Sequence, residues 1–152
     1  MAAMTPILRP AESRDHERWK ELFDGYTRFY EREPEDKLRA FTWSRIHDPA
    51  SPIRCVVAEL DGCVVGFSHY LTHESTGSFT PVCYLQDLFV DPQVRAAGIG
   101  KALIDWVIAE AKARGWSRVY WSTRETNYRA RGLYDKYTPH SGFLRYVVTI
   151  DP

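Results

Sequence analysis

The stretch from Val82 to Lys101 constrains this chain more than any other. Val82-Cys83-Tyr84-Leu85-Gln86-Asp87-Leu88-Phe89-Val90 reads as a strand that stops at Asp91-Pro92. It runs into Gln93-Val94-Arg95-Ala96-Ala97-Gly98-Ile99-Gly100-Lys101, which opens an amphipathic helix. The first N–H groups of such a helix have no intrahelical partner, and with the helix dipole they form an anion site. Glycines at 98 and 100 let the backbone approach a phosphate with no Cβ in the way. A phosphorylated cofactor is the ligand that suits this turn. The other reading is that the two glycines only shape a tight connection. A nucleotide P-loop is excluded, because Arg95 stands where its first Gly belongs and Ala102 where Ser or Thr follows the Lys. A dinucleotide fingerprint is excluded by Leu103 in place of its third Gly.

The rest of the chain arranges itself around that turn. Pro6 to Arg9 is a short candidate edge strand. Ser13 or Asp15 can cap a helix whose Trp19, Leu22, Phe23, Tyr26, Phe29 and Tyr30 recur at helical spacing, giving a buried aromatic face. Glu31 to Asp36 breaks it, and a second helix carries the apolar Leu38, Phe41, Trp43 and Ile46 before Asp48-Pro49 stops it. From Ile53 the period changes to that of strands. Ile53–Leu60 and Cys63–Leu71 flank Asp61-Gly62, the strongest short hairpin signal, because a type I′ turn needs positive φ at both central residues. In the helix after Gly98, Ile99, Leu103, Trp106, Val107 and Ala111 share one face, and Gly115 closes it. Val119–Thr123 is a short strand, Asn127 can cap a final helix through Tyr137, and Phe143–Ile150 alternates as a last strand. The order is mixed α/β within a single domain over residues 1–152.

Composition narrows the function classes. A chain of 152 residues buries roughly 70% of its unfolded surface without needing a metal or disulfide staple. Twenty basic and twenty acidic residues cancel, which argues against a field that grips nucleic acid or anionic lipid. No apolar run can span a bilayer and no secretory signal is read, so a cytoplasmic protein with no membrane or nucleic-acid partner is expected. Cys55, Cys63 and Cys83 make no disulfide framework and read as buried small residues in strands. His69 and His73 share a strand face with no third ligand nearby, so no metal site is expected.

Two spaced motifs add a family. Arg95-Ala96-Ala97-Gly98-Ile99-Gly100 has the form Arg/Gln-x-x-Gly-x-Gly directly after the strand. Downstream, Asn127-Tyr128-Arg129-Ala130-Arg131-Gly132-Leu133-Tyr134 reads as Asn-x-x-Ala-x-x-Leu-Tyr. From Tyr84 to Tyr137 the chain resembles the GNAT N-acetyltransferase superfamily, and most closely its polyamine and fungal histone-and-polyamine acetyltransferase-like branch. Residues 1–50 match in architecture only. The resemblance implies a mixed, mostly antiparallel central sheet of about six to seven strands flanked by about four helices. It also implies acetyl-CoA as cofactor and acetyl transfer to an amine by direct attack.

Residue by residue, the resemblance implies that the pantetheine arm pairs with the backbone of Leu88, Phe89 and Val90 as an added strand. The pyrophosphate meets the backbone amides from Arg95 through Ala96, Ala97, Gly98, Ile99 and Gly100 to Lys101, and the N–H of Leu88 faces the thioester carbonyl. Asn127 matches a position that binds the cofactor or its water, a role compatible with a simple helix N-cap. Tyr134, two helical turns later on the same face, matches the general acid, because a phenol stays protonated at neutral pH and can hand its proton to a thiolate.

The base is less defined. Polyamine-acetylating relatives carry Glu then Asp where this chain has Gln86-Asp87. Gln86 cannot accept a proton, and Asp87 is the nearest carboxylate, although alternation sets it on the opposite strand face from Gln86 and Leu88. Glu125 and a water chain are the other options. Tyr30, Glu31, Glu33 and Gln86 are candidate acceptor-binding residues, since Glu31, Glu33, Glu35 and Asp36 would attract a cationic amine; such a run also makes an ordinary solvated turn. The expected partner is a small-molecule amine, with a protein amine or a non-catalytic acyl-CoA sensor as alternatives. An unpaired apolar strand at Phe143–Ile150 would be an edge liability, and relatives often dimerise through such strands, so a homodimer is expected.

Overall fold

The computed structural model describes residues 5–94 and 98–151 and shows two compact units, one up to Trp121 and one from Ser122. The first unit is a five-stranded sheet with helices on both faces. Its strands are β1 (Ile7–Pro10), β2 (Arg54–Leu60), β3 (Cys63–His73), β4 (Val82–Val90) and β5 (Val119–Tyr120), in that spatial order. β1 to β4 form an antiparallel meander, and β5 joins β4 in parallel. Helix α1 (His16–Phe29) packs on β3 and β4, while α3 (Ile99–Arg114) packs on β2, β3 and β4. Between α1 and β2 lies α2 (Asp36–Ile46). The α/β class is the one the sequence pattern implies, with fewer strands. No helix among the described residues is long and apolar enough to cross a membrane.

Local chemistry sets these elements. Asp61 and Gly62 have φ of 52° and 77°, the paired positive values that a type I′ hairpin requires. Gly115 ends α3 at φ 77°. Along α1 the helical repeat buries Trp19, Leu22 and Tyr26 and half-buries Phe23 and Tyr30, while Phe29 is exposed. These side chains meet Phe67, Val57 and Cys55 of the sheet in one aromatic core. On the other face Ile99, Leu103, Ile104, Val107 and Ala111 of α3 are buried. Trp106 is half-buried, its ring 5.9 Å from that of Tyr70.

Three expectations need correction. The buried row of α2 is Arg39, Thr42 and Ile46, whereas Leu38 and Phe41 are exposed. Arg39 takes that place because its guanidinium is satisfied there, at 2.9 Å from Asp24 and 2.8 Å from Asp36. Cys63 is exposed, since it opens β3 directly after the hairpin turn; Cys55 and Cys83 are buried. Phe143–Ile150 forms no strand: it carries no helix or ladder, and Phe143, Leu144, Tyr146, Val147, Val148 and Ile150 are all exposed. Alternation supplies a strand with faces but not with a partner, and an unpaired strand has no ladder bonds to hold it. The second unit otherwise contains α4 (Tyr128–Tyr134), followed by a turn through Tyr137.

The start of α1 is tied to the sheet by charge. The Arg9 guanidinium grips both oxygens of Asp15 at 2.7 and 2.9 Å and reaches Glu59 at 3.2 Å. The N–H of Glu12 also donates to Asp15, at 2.8 Å. Burial would raise the Asp15 pKa, but the bonds from Arg9 and Glu12 outweigh it and hold the carboxyl below its ordinary 3.8. A carboxyl depressed in the folded state adds stability above its unfolded pKa and loses it as pH falls through the folded value. Replacing Asp15 by Asn is expected to cost about 2 kcal/mol at pH 7 in urea unfolding. The two proteins should converge as pH falls through the folded carboxyl's lowered value, and a constant gap across pH would contradict the assignment.

Candidate active site

β4 is paired unequally on its two sides. Against β3 it runs its whole length, from Val82↔His73 to Val90↔Gly66. Against β5 it pairs only at Cys83↔Val119 and Tyr84↔Tyr120, after which the parallel ladder stops. From Gln86 to Val90 this edge therefore has no strand partner among the described residues of its unit. The direction of its backbone groups follows from register. The N–H of Asp91 donates to the carbonyl of Val65 at 2.8 Å, which sets the parity of the antiparallel ladder. Phe89 then points its N–H and C=O at Phe67 of β3, while Leu88 and Val90 point theirs to the open side. Of the three residues expected to pair with a pantetheine arm, Leu88 and Val90 thus present backbone and Phe89 presents its ring.

The open edge leads to the glycine turn. Arg95, Ala96 and Ala97 lie outside the described residues. Gly98 sits at φ 87° and caps α3 with no side-chain bond of its own, and the N–H of Ala102 closes the first helical turn on its carbonyl at 2.9 Å. A side chain at this φ would be strained, which is why glycine stands here. Ile99 is buried and anchors the helix start; Gly100 and Lys101 continue it, with Lys101 paired to Asp105 at 2.7 Å. The N–H groups of Ile99, Gly100 and Lys101 have no intrahelical acceptor. An edge with two outward backbone positions, running into a positive helix end, fits the arm and the phosphates of acetyl-CoA.

A β-bulge sits just before that edge. Tyr70 pairs with Leu85 and His69 with Asp87, so Gln86 is the extra residue, and it is exposed. The alternation expected across Gln86 is broken there. Asp87 turns its carboxylate to α1, where it ends a chain of hydrogen bonds. Tyr26 Oη donates to Asp87 Oδ1 at 2.5 Å, and His69 Nδ1 lies 2.9 Å from Asp87 Oδ2. Trp19 Nε1 donates to His69 Nε2 at 2.9 Å. Trp19 and His69 are buried, while the Asp87 side chain keeps 14% of its surface exposed. Burial, then the Asp87 charge, push the Tyr26 hydroxyl far above an ordinary phenol, so it acts only as a donor.

Beside this chain an open cleft of about 500 Å³ runs between α1 and the end of β4. Gly25, Arg28, Phe29 and Phe89 line it, together with Arg18, which is paired to Asp91 at 2.5 Å. The Arg28 side chain is exposed and has no ion-pair partner among the described residues. Tyr30 is half-buried with its ring 5.0 Å from that of Tyr26. Glu31, at φ 60°, and Glu33 are exposed in the turn that follows.

Asn127 and Tyr134 belong to the second unit. Asn127 precedes α4, yet its side chain makes no cap: Nδ2 donates to Thr123 Oγ1 at 3.2 Å, and Oδ1 has no partner among the described residues. Tyr134 is half-buried at the end of α4, and the N–H of Tyr137 closes on its carbonyl at 2.9 Å. Among the described residues no three His, Cys, Asp or Glu side chains gather as a metal site would require.

The model of the acetyltransferase (GNAT) family matches residues 17–138. The chain belongs to that family. It is similar to the D-amino-acid N-acetyltransferase of Saccharomyces cerevisiae, with 32% identity over 132 residues, covering 86% of this chain and 82% of the yeast protein. Its fold is that of the ribosomal-protein-alanine N-acetyltransferase of Brucella melitensis, at TM-score 0.78 and 21% identity, covering 96% of this chain and 100% of the other. It also matches an aminoglycoside N-acetyltransferase solved with CoA, at TM-score 0.77 and 19% identity, with 99% and 97% covered. This GNAT chain is an acetyl-CoA-dependent acetyltransferase.

Sequence reasoning placed Trp19 and Tyr26 on a buried aromatic helix face and weighed His69 only as a metal ligand; it did not join the three to Asp87. Gly66 matters for a different reason. A Cβ there would lie 3.0 Å from the carbonyl oxygen of Phe89 and 3.4 Å from Leu103 and Val90. Gly66→Ala should push β4 outward, costing about 1–3 kcal/mol and raising the KM for acetyl-CoA more than that for the amine. Unchanged acetyl-CoA kinetics would show that the β4 edge does not carry the arm.

Proposed function

We propose that this chain transfers the acetyl group of acetyl-CoA to a primary amine of a small molecule by direct attack, with Tyr134 as general acid. The observation that carries the reading is the order of groups along β4: the Asp87 carboxylate, partly exposed and facing α1, comes directly before the outward backbone of Leu88. Leu88 N–H, Val90 and the turn through Lys101 hold acetyl-CoA, which supplies the activated thioester. Asn127 Oδ1 offers a further acceptor for it or for a bound water. The negative charge of Asp87 draws an ammonium to the end of the β4 bulge, with Tyr30, Gln86, Glu31 and Glu33 on the acceptor side.

The amine loses two protons. The first leaves to water and frees the lone pair, since a carboxylate is by nature a far weaker base than an alkylamine. The second becomes acidic as the N–C bond forms, and Asp87 takes it. Leu88 N–H meets the negative charge that develops on the carbonyl oxygen. Tyr134 holds the proton that the departing sulfur takes.

A polyamine or another small amine fits a site where the partly exposed Asp87 carboxylate meets the acceptor. A second reading, an amino acid, is favoured by the cationic Arg28 in the α1–β4 cleft, which suits a carboxylate, and by the named activity of the yeast relative. Thiol release with acetyl-CoA, measured against spermidine, D- and L-amino acids and lysine peptides, separates these; Arg28→Ala should raise KM only for amino acids. Tyr134→Phe is expected to lower kcat about 100-fold with little change in KM. Binding of acetyl-CoA without release on any amine would instead mark a sensor module, and turnover unchanged in Tyr134→Phe would remove the acid. The exposed apolar run Phe143–Ile150 supports a homodimer. Light scattering is expected to give twice the chain mass, and a monomer would remove that part.

A further inference from the structure

The chain Trp19–His69–Asp87–Tyr26 has a direction, and the direction fixes its charge. An indole N–H can only donate, so the 2.9 Å bond from Trp19 Nε1 makes His69 Nε2 an acceptor. The single proton of the imidazole is then on Nδ1, where it donates to Asp87 Oδ2 at 2.9 Å. Tyr26 supplies the other donor, at Oδ1. Among the described residues Asp87 is therefore held by two neutral donors and by no cation.

Nothing packed around the imidazole changes this balance. From α1 it meets Trp19, Phe23 and Tyr26, and from β3 itself Phe67. From β2 the residue in register is Cys55, whose thiol burial pushes well above its ordinary range. Asp15 acts on Cys55 and Arg32 on Tyr26 only at a distance. Protonating His69 at Nε2 would set an N–H against the indole N–H in a site where the imidazole is 3% exposed. It would also turn the Asp87 contact into a buried ion pair and cancel the charge that Asp87, 14% exposed, keeps at the end of this chain.

We propose that Trp19 and His69 are positioning residues that keep the Asp87 contact anionic, so that the site captures an ammonium acceptor even in mildly acidic solution. This rests on the proposed meeting of Asp87 with the amine. It is independent of which amine is used and of the general acid.

The test combines kinetics with a direct view of the ring. In Trp19→Phe, Nε2 loses its donor and is free to take a proton. The KM for the acceptor, read with spermidine, or with D-lysine where spermidine is not turned over, should rise at least tenfold over wild type at pH 6. It should return to within about threefold at pH 9, with kcat for saturating amine little changed. Adding His69→Asn to Trp19→Phe restores a neutral donor that cannot be protonated, and it should abolish the extra pH dependence. A purely structural role predicts a KM defect that is the same at both pH values and is not rescued. Nitrogen NMR of the wild-type histidine ring serves where Trp19→Phe does not fold or no amine is turned over. It should show Nδ1 protonated and Nε2 bare from pH 6 to pH 9. A doubly protonated ring at pH 6, or a proton on Nε2, overturns the proposal. Turnover of neither amine together with the expected ring tautomer would fell the acceptor reading and leave the hydrogen-bond assignment standing.

Discussion

The parting of β4 from β5 is the constraint on which the rest of this site depends. A strand with both edges paired has no backbone left to offer; one with a bare edge is normally a liability. Here the edge has no strand partner among the described residues of its unit for five residues, Gln86 to Val90, and is paired for two, Cys83 and Tyr84. Tyr84 and Tyr120 mark the point of divergence, with their rings stacked at 4.9 Å and the Tyr120 hydroxyl bonded to His73 at 2.7 Å. What keeps the bare segment in place is the other side: continuous pairing with β3 and close packing of Phe89 against α1. An added Cβ at Gly25 would stand 3.2 Å from the Phe89 ring. The strand proposed to serve the cofactor is held in place by its full commitment on the side that would not meet it.

The bulge at Gln86 sets a core-facing carboxylate and an outward backbone in adjacent residues of that strand, Asp87 and Leu88. Without it, strict alternation would carry on from Leu85, and the polar pair would fall on faces set by parity alone. The extra residue leaves Gln86 in solvent and turns Asp87 into the aromatic core beneath α1. Placing a carboxylate there is costly unless it is hydrogen-bonded. Tyr26 and His69 meet that requirement, and Trp19 in turn satisfies the remaining nitrogen of His69. Each member of the chain is thereby bonded, which separates a specifying network from a buried defect.

Much of this was legible in the sequence because it is encoded locally. Asp61-Gly62 fixes a hairpin by φ alone, Gly98 and Gly115 bracket α3 by the same means, and the spacing of Trp19, Leu22 and Tyr26 defines the buried face of α1. What escaped reading depends on partners distant in sequence. Arg39 displaces Leu38 and Phe41 from the inner face of α2 only because Asp24 of α1 waits for it. Phe143–Ile150 has the composition of a strand, and pairing is a property of two segments. Likewise no pattern along β3 says that the nitrogen opposite His69 is an indole fifty residues upstream. A bulge is equally silent, because one inserted residue leaves the local alternation of β4 looking intact.

The same distinction explains why the cofactor half of the site reads more clearly than the acceptor half. In the proposed site acetyl-CoA is met by backbone: the outward groups of Leu88 and Val90 and the amides at the start of α3. Backbone geometry follows from strand, glycine and helix signals that any such chain must display. The proposed acceptor is met by side chains from α1, the turn at Glu31 and β4, and their chemistry is set by what each is bonded to. A carboxylate at Asp87 means one thing beside an arginine and another between a phenol and a neutral imidazole. Here the described donors are neutral, so Asp87 keeps its negative charge, and a cationic amine is the ligand that the proposed function sets against it.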